Sequence, residues 1–300
     1  RARNTAPPLA AALYFGRVFC AAVCPLGALQ EIAAVRPVKI SAPVAAVLGL
    51  LPYAYLGLAA VGVATGAGFL ICRYDPFVGF FRMGGSFNML LAGGVLLALG
   101  TVVARPYCRF LCPYGVLLRW VSSFSKWRVT ITPAECIQCR LCENACPYDA
   151  ILPPTPLEAP EARRVGVRRL ALLLAVAPLI VAAAAGTGAG MHGLLARLHP
   201  TVKLAGLVAA EEAGHGVKPS VETDAWRAGK QTIDALYAEA AVVEHRFLIA
   251  SIWFGAFMGL VICGKLIRYS VVRNRVDYEA DRGACVACGR CYPYCPVEKE

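Results

Sequence analysis

Charge is what this 300-residue chain has least of: Asp, Glu, Lys and Arg make up 16% of it against 58% hydrophobic residues, and its mean hydropathy is +0.58. A chain so poor in charge cannot cover water-soluble domains with polar surface, so two soluble domains are excluded and a membrane protein is expected. Acidic residues are scarcer still, 19 against 30 Lys plus Arg, for a formal net charge of +11. In a bilayer protein that excess belongs to cytoplasmic loops, so no nucleic-acid partner is expected. Cysteine, at 14 residues, falls short of disulfide-scaffold density. Twelve of the 14 fall in four short clusters whose spacing suits metal ligation better than stapling.

Four stretches supply the ~20 helical residues needed to cross a hydrocarbon core of ~30 Å: residues 44–70, 87–104, 169–190 and 247–267. Pro43 suits a helix start, and Pro52 and Pro178 predict kinks in the first and third stretches. Gly62 with Gly66, and Gly255 with Gly259, are small-xxx-small pairs read as helix-packing positions. Basic residues crowd the loop between the second and third stretches, from Arg105 and Arg109 to Arg168 and Arg169, whereas the loop after the first has only Arg73 and Arg82. The long loop is therefore expected in the cytoplasm. Alternation puts residues 72–86 and 191–246 outside, and the N-terminal segment and the tail from about residue 268 inside. The chain starts at Arg1 and its first apolar run, Leu9 to Phe19, is too short to span, so an upstream extracytoplasmic part is expected to be missing. Truncation is expected just after Pro296 as well.

Two internal repeats are built on cysteine. Phe19-Cys20-Ala21-Ala22-Val23-Cys24-Pro25-Leu26-Gly27 returns 88 residues later as Tyr107-Cys108-Arg109-Phe110-Leu111-Cys112-Pro113-Tyr114-Gly115. Cys136-x2-Cys139-x2-Cys142-x3-Cys146-Pro147 returns 149 residues later as Cys285-x2-Cys288-x2-Cys291-x3-Cys295-Pro296. All four clusters fall on the expected cytoplasmic side, where thiols stay reduced.

In the second repeat, three cysteines at two-residue spacing wrap one corner of an iron-sulfur cube, and the fourth, followed by proline, turns to a neighbouring cluster. One [4Fe-4S] cluster is thus expected on Cys136, Cys139, Cys142 and Cys295, and another on Cys285, Cys288, Cys291 and Cys146. Zinc motifs pair two Cys-x2-Cys hooks and need neither the third cysteine nor the proline. A transmembrane hairpin separates the two runs, yet both its ends return to one face, so a single ferredoxin module split by the hairpin is expected. The alternative is two one-cluster lobes, in which Cys146 joins Cys136 on one centre. The Cys-x3-Cys-Pro repeat leaves three readings open. Cys20, Cys24, Cys108 and Cys112 hold a further cluster, form redox dithiols, or merely punctuate span entrances.

The duplicated Cys-Pro-x-Gly motifs at 24–27 and 112–115, the Arg-Tyr-Asp-Pro-Phe loop at 73–77 and the ferredoxin runs resemble the membrane ferredoxins of the NosR and NapH type, over most of residues 10–152 and the tail. The resemblance implies electron transfer between the quinone pool or cytoplasmic donors and periplasmic reductases, or support of such enzymes' maturation. Some NosR relatives carry an upstream flavin-bearing domain. This chain has no Ser/Thr-Gly-Ala-Thr attachment sequence, so flavin is not expected. Arg140 stands where glycine is usual, and the last run lacks the usual following Ala-Ile; neither change removes a ligand.

All four histidines, His192, His199, His215 and His245, lie between the third and fourth stretches. His192 ends one span and His245 begins the next, at one membrane depth. There, two neutral imidazoles could ligate a haem or hydrogen-bond a quinol, unless they are ordinary loop residues. A second carrier has a physical motive, since inner-face clusters alone cannot pass electrons through ~30 Å of hydrocarbon. Residues 222–244 read as an amphipathic helix with Trp226, Ile233, Leu236, Tyr237 and Ala240 on its stripe, running into the last span. Gly188-x-Gly190-x-x-Gly193 matches a dinucleotide fingerprint but closes a membrane helix, so nucleotide binding is not expected. Cys72 and Cys263 read as structural, and 153–160 as a linker.

The expectation is an α-helical polytopic membrane protein of the bacterial inner membrane, with about four transmembrane helices and a small cytoplasmic α+β ferredoxin-like [4Fe-4S] module. Its divisions are 1–128, a membrane domain with the twin motifs; 129–160, the first half of the module; 161–276, the hairpin with outer segment 191–246; and 277–300, the second half. The expected function is electron relay between the quinone pool or cytoplasmic donors and a respiratory or periplasmic reductase partner, without a bond-making site. The alternative is an assembly or regulatory factor that reduces a metal or thiol while another metalloenzyme matures.

Overall fold

The computed structural model describes residues 6–35, 37–68, 75–77, 84, 86–127, 129–131, 136–155, 163–213, 220–229, 232–271 and 274–297. Cys72, Arg73, Tyr74, Arg82, His215 and most of the 153–160 linker lie outside them. The chain forms two compact units, one of residues 1–56, 74–166 and 271–300, the other of residues 57–73 and 167–270.

The first unit is built from short helices, several of which start at a proline. These are α1 (Ala6–Phe15), α2 (Val18–Ala22), α3 (Pro25–Ala33), α4 (Ala42–Leu48), the start of α5 (Leu51–Thr65), α6 (Phe87–Gly100), α7 (Pro106–Phe110) and α8 (Pro113–Ser122). Pro25, Pro106 and Pro113 each sit at the first helical position, where a missing N–H leaves no intrahelical bond unmade. Pro52 does the opposite to the span Ala42–Thr65. Its ring would crowd the carbonyl of Leu48, where α4 ends, and the chain breaks at Gly49 and Leu50 as the sequence predicts.

Among the described residues three helices are long and apolar enough to cross a membrane: Ala42–Thr65, Arg163–Ala196 and Ile233–Ser270. The second expected stretch is shorter than 87–104. At 14 residues, α6 extends ~21 Å, less than the ~30 Å required. It stops because the carbonyls of Thr101 and Val102 are taken by the Val35 and Val38 amides, at 3.3 and 2.7 Å. Arg105 before Pro106 is then left-handed, at φ 47°.

Around the ferredoxin runs lie α9 (Leu141–Ala145), β1 (Ile151–Leu152), β2 (Glu279–Ala280) and a 3₁₀ turn at Tyr292–Tyr294. The strands pair antiparallel, with Ile151 opposite Ala280 and Leu152 opposite Glu279. The Asp281 amide donates to the Ala150 carbonyl at 2.7 Å and the Thr155 amide to that of Arg275 at 3.0 Å. A two-stranded ribbon is marginal alone. This one is backed by Ala104, Ile131, Cys146, Tyr148, Ala150, Tyr278 and Val286.

The second unit contains α10 (Arg163–Ala196, which begins in the first unit), α11 (Pro200–Glu212), α12 (Val221–Ala228) and α13 (Ile233–Ser270). Helices α10 and α13 pack antiparallel through glycine. A Cβ on Gly255 would lie 2.1 Å from the Ala184 carbonyl oxygen, one on Gly188 2.2 Å from that of Ser251, and one on Gly259 2.8 Å from Val181 Cα. Gly255 and Gly259 thus pack helices as expected. Gly66 differs: it follows the last residue of α5 at φ +80° with open space around it, so it ends the helix instead of packing one. The fingerprint-like Gly188 is a packing residue inside α10.

The expected amphipathic helix is interrupted after Ala228 at Gly229, and only its part from Ile233 runs into the span. Leu236 and Ala240 enter a core with Val202, Ala205, Val208, Val243 and Phe247, and Trp226 and Tyr237 pack onto it. Most of that stripe faces α11, while Ile233 stays 39% exposed.

Candidate metal centres

The twin motifs adopt one local design twice. The first cysteine of each, Cys20 or Cys108, rides on a five-residue helix, and the second, Cys24 or Cys112, is the N-cap of the following helix, α3 or α8. Unpaired amides and the positive end of a helix favour a thiolate at that position. The Gly115 amide donates to Cys112 Sγ at 3.4 Å. Glycine at 27 and 115 lets the helix pairs stack. A Cβ on Gly27 would lie 2.4 Å from the Cys20 carbonyl oxygen, and one on Gly115 3.3 Å from that of Cys108.

The four thiols lie within electrostatic reach of one another. Cys108 feels Cys112, Cys24 and Cys20, and Cys112 feels Cys20 and Cys24. Burial, reinforced by those neighbours, pushes the Cys108 thiol up to about 12, against a hydrogen bond from Gln30, whose Nε2 lies 3.2 Å from its sulfur. Burial likewise pushes Cys112 up to about 11 and raises Cys20, although Arg17 pulls Cys20 down. The three desolvated thiols of Cys20, Cys108 and Cys112 resist ionisation, a cost that a bound metal would remove.

Two arginines cross between the repeats. Arg105 Nη1, from the second, donates to the Cys20 carbonyl of the first at 2.8 Å. Arg17 Nη2, from the first, lies 3.6 Å from the Cβ position of Gly115 in the second. Both side chains are buried. Glu31 of α3 receives Arg105 Nε at 2.8 Å, the Tyr148 hydroxyl at 2.6 Å and Arg290. Burial disfavours its charge, but Tyr148 and the two arginines outweigh that and hold its carboxyl below the usual range. One carboxylate thereby ties the twin motifs to a residue just after Cys146 and to one between Cys288 and Cys291.

The two ferredoxin hooks match in backbone as well as spacing. Gln138 and Ala287 have φ of 51° and 55°, and Arg140 and Gly289 have 64° and 74°. Left-handed residues at those steps turn successive amides inward toward sulfur; the Ala287 amide lies 3.4 Å from Cys285 Sγ. Arg140 therefore occupies a conformation that favours glycine.

Cys146 is buried in the same core against which Cys20, Cys136, Cys142, Cys285 and Cys291 pack. It lies among the thiols of the other run. Burial pushes Cys291 up to about 11, with Cys285, Cys146 and Cys288 adding to it, and Cys285 is raised by burial and by Cys146. Cys142 is raised by burial and by Cys139 and Cys136. Cys295 is half-buried after the 3₁₀ turn, and Cys139 and Cys288 are exposed. A cavity of about 560 Å³ opens beside Cys146, lined by Lys39, Asn144, Arg290 and Tyr294 among others. Among the described residues no three His, Cys, Asp or Glu side chains are grouped closely enough to hold a metal ion.

The histidines are otherwise disposed. His192 Nδ1 contacts the Ala189 carbonyl of its own helix at 2.5 Å, and His245 is exposed. His199 caps α11 and stacks edge-on against Phe247, 6.3 Å between ring centres. Arg17, Arg105, Gln30 and Glu31 are the residues that sequence reasoning passed over. The offset of 88 that relates the cysteines also relates Arg17 to Arg105, and was the available signal.

Residues 7–43 and 86–132 match a model of a 4Fe-4S binding domain, and residues 129–152 match another. The first match brackets both twin motifs. The chain is 28% identical over 152 residues to YccM of Escherichia coli K12, by name an electron transport protein, covering 45% of this chain and 42% of that one. It is 30% identical over 154 residues to the protein NirI of Paracoccus denitrificans, covering 47% and 23%, and 30% identical over 172 residues to the regulatory protein NosR of Pseudomonas aeruginosa, covering 51% and 23%. The chain thus spans less than half the length of each of these relatives. No solved structure matches it.

Two parts of the chain thus match 4Fe-4S binding domains, and among the described residues three helices are long and apolar enough to cross a membrane. Over about half of its length the chain is similar to NirI and NosR, which the resemblance to NosR/NapH-type membrane ferredoxins anticipates.

Proposed function

We propose that the chain carries three [4Fe-4S] centres in series and relays single electrons between a cytoplasmic or quinone-linked donor and a partner reductase at the membrane. Cys136, Cys139, Cys142 and Cys295 hold the first. Cys285, Cys288, Cys291 and Cys146 hold the second, and Cys20, Cys24, Cys108 and Cys112 the third. The bound clusters supply one-electron storage. The chain's part is to present thiolates, aim amides and helix ends at them, and exclude water. The observation that carries the reading is Cys146, buried beside Cys285 and Cys291 while β1 and β2 join the segments on either side of the hairpin. That pairing supports one ferredoxin module interrupted by membrane helices.

Cys20, packed on the same core, supports direct electron passage between the module and the twin motifs. Exposed Cys139 and Cys288 and the cavity beside Cys146 make the module the side that an external donor reaches. The basic loops after α6 and α13 support a cytoplasmic module.

The test is Cys146→Ser in the full chain, followed by iron analysis and EPR. The variant is expected to lose or alter the centre that Cys285→Ser also removes, while keeping the centre that Cys136→Ser removes. Coincidence of the Cys146→Ser and Cys136→Ser effects would instead establish two independent lobes.

A further inference from the structure

We propose that Arg17 sets the reduction potential of the twin-motif centre, holding it above the value that the four thiolates alone would give. The inference rests on reading that centre as a cluster. The two arginines at equivalent positions of the repeat differ in charge balance. Arg105, 4% exposed, is met by Glu31 and spends Nη1 on the Cys20 carbonyl. Arg17, 8% exposed, meets no carboxylate among the described residues. Its Nη1 donates to the Gly283 carbonyl at 3.1 Å, and its Nε has no partner. It is the guanidinium felt by both Cys20 and Cys112.

A buried cation without a counter-charge is strongly unfavourable unless an anion is brought to it. Four thiolates around an iron-sulfur cube are that anion. One-electron reduction adds a negative charge there while no bond breaks and no proton moves. Arg17 therefore stabilises the reduced state more than the oxidised one, and burial strengthens the effect by removing screening water. Within the ferredoxin hooks themselves, Arg290 is turned to Glu31 and Arg140 is exposed.

The experiment is a dithionite-driven redox titration followed by EPR, on the full chain in lipid nanodiscs, for wild type, Arg17→Gln and Arg17→Lys, with iron analysis of each. The expected result is a reduction equilibrium of the twin-motif centre at least about tenfold less favourable in Arg17→Gln, about 59 mV for a one-electron couple. The ferredoxin signals should move less than that of the twin-motif centre, and Arg17→Lys should stay within about threefold of wild type. An unmoved potential in Arg17→Gln with iron unchanged overturns the proposal. If Arg17→Gln sheds the centre's iron, Arg17→Lys decides: restored iron and potential support a charge effect, and a repeat of the loss overturns it. A wild-type content of about eight iron atoms per chain instead of about twelve would overturn the cluster reading itself, and this proposal with it.

Discussion

Gly27 and Gly115 occupy the same step of one duplicated motif, yet adding a methyl group to each should have different consequences. At Gly27 the new Cβ would lie 2.4 Å from the Cys20 carbonyl oxygen, and that oxygen is fixed by Arg105 Nη1 at 2.8 Å. The obstacle is backbone, so relief requires α2 and α3 to separate by about 1 Å, which moves Cys20 away from the other three thiols. Overpacking of a close contact costs about 1–3 kcal/mol, and a backbone obstacle puts Gly27→Ala at the upper end. At Gly115 the nearest atom, the Cys108 carbonyl oxygen, is 3.3 Å away, so a shift of a few tenths of an ångström suffices. Its cost is below about 1 kcal/mol. A difference of about 2 kcal/mol is roughly thirtyfold in an equilibrium. Retention of iron by the twin-motif centre should therefore fall about thirtyfold further in Gly27→Ala than in Gly115→Ala when both are challenged with the same chelator. Equal losses, or a silent Gly27→Ala, would refute the stacking of α2 on α3.

In the folded, cluster-free chain, Cys108 and Cys112, pushed up by burial to about 12 and 11, should react with iodoacetamide at pH 8 at least ~100-fold more slowly than a free thiol. Because these folded values are raised, the associated stability is complete below the ordinary thiol value of ~8.5 and lost as pH climbs toward 11 and 12; alkaline stability that does not fall in that window contradicts the burial. Gly188→Ala, with its Cβ 2.2 Å from the Ser251 carbonyl oxygen, should destabilise the α10–α13 pair by about 3 kcal/mol, whereas Gly190→Ala, inside the same helix with open space around it, should leave stability unchanged or raise it by up to about 1 kcal/mol in the same thermal-denaturation assay. Arg140→Gly, which relieves a left-handed residue at φ 64°, should slow loss of the neighbouring cluster by up to about 1 kcal/mol of barrier; faster loss would mean that the arginine side chain contributes more than its backbone costs.

The ferredoxin hooks were legible in the sequence because their chemistry is local: seven residues fix the spacing, and the same left-handed steps recur at Gln138 and Ala287. The twin motifs were legible as a repeat but not as a site. Their convergence depends on Gly27 and Gly115 letting helices stack, on Arg17 and Arg105 crossing between repeats, and on Glu31 reaching residues 74, 117 and 259 positions away. The second apolar stretch reads longer in the sequence than its helix is, because hydropathy continues through residues 101–104 while the carbonyls of Thr101 and Val102 turn to the amides of Val35 and Val38. In the sequence, His192 and His245 read as span ends. However, α10 and α13 are 34 and 38 residues long, so both residues lie within helices and their outlook depends on rotation. On α13 the inward positions are Val243 and Phe247, which leaves His245 outside.

Interrupting a small module with a membrane hairpin should be costly, and the size of that cost explains why the arrangement holds. Pairing Ile151 with Ala280 closes a loop of well over one hundred residues. Closure entropy grows only logarithmically, so the penalty against a ten-residue loop is about 2 kcal/mol for a flexible chain. The intervening chain is not flexible. Helices α10 and α13 are held antiparallel at Gly188, Gly255 and Gly259, and the hydrogen bond from Cys263 Sγ to the Ala177 carbonyl, at 3.8 Å, extends that contact toward the open end of the hairpin. Helix packing therefore supplies much of the closure before the strands meet. It follows that the glycines of the hairpin and the ligands of the module are thermodynamically linked: a bulky residue at Gly255 should weaken iron binding at Cys285 and Cys291, to which it is bound only through the chain, while leaving the twin-motif thiols largely unaffected.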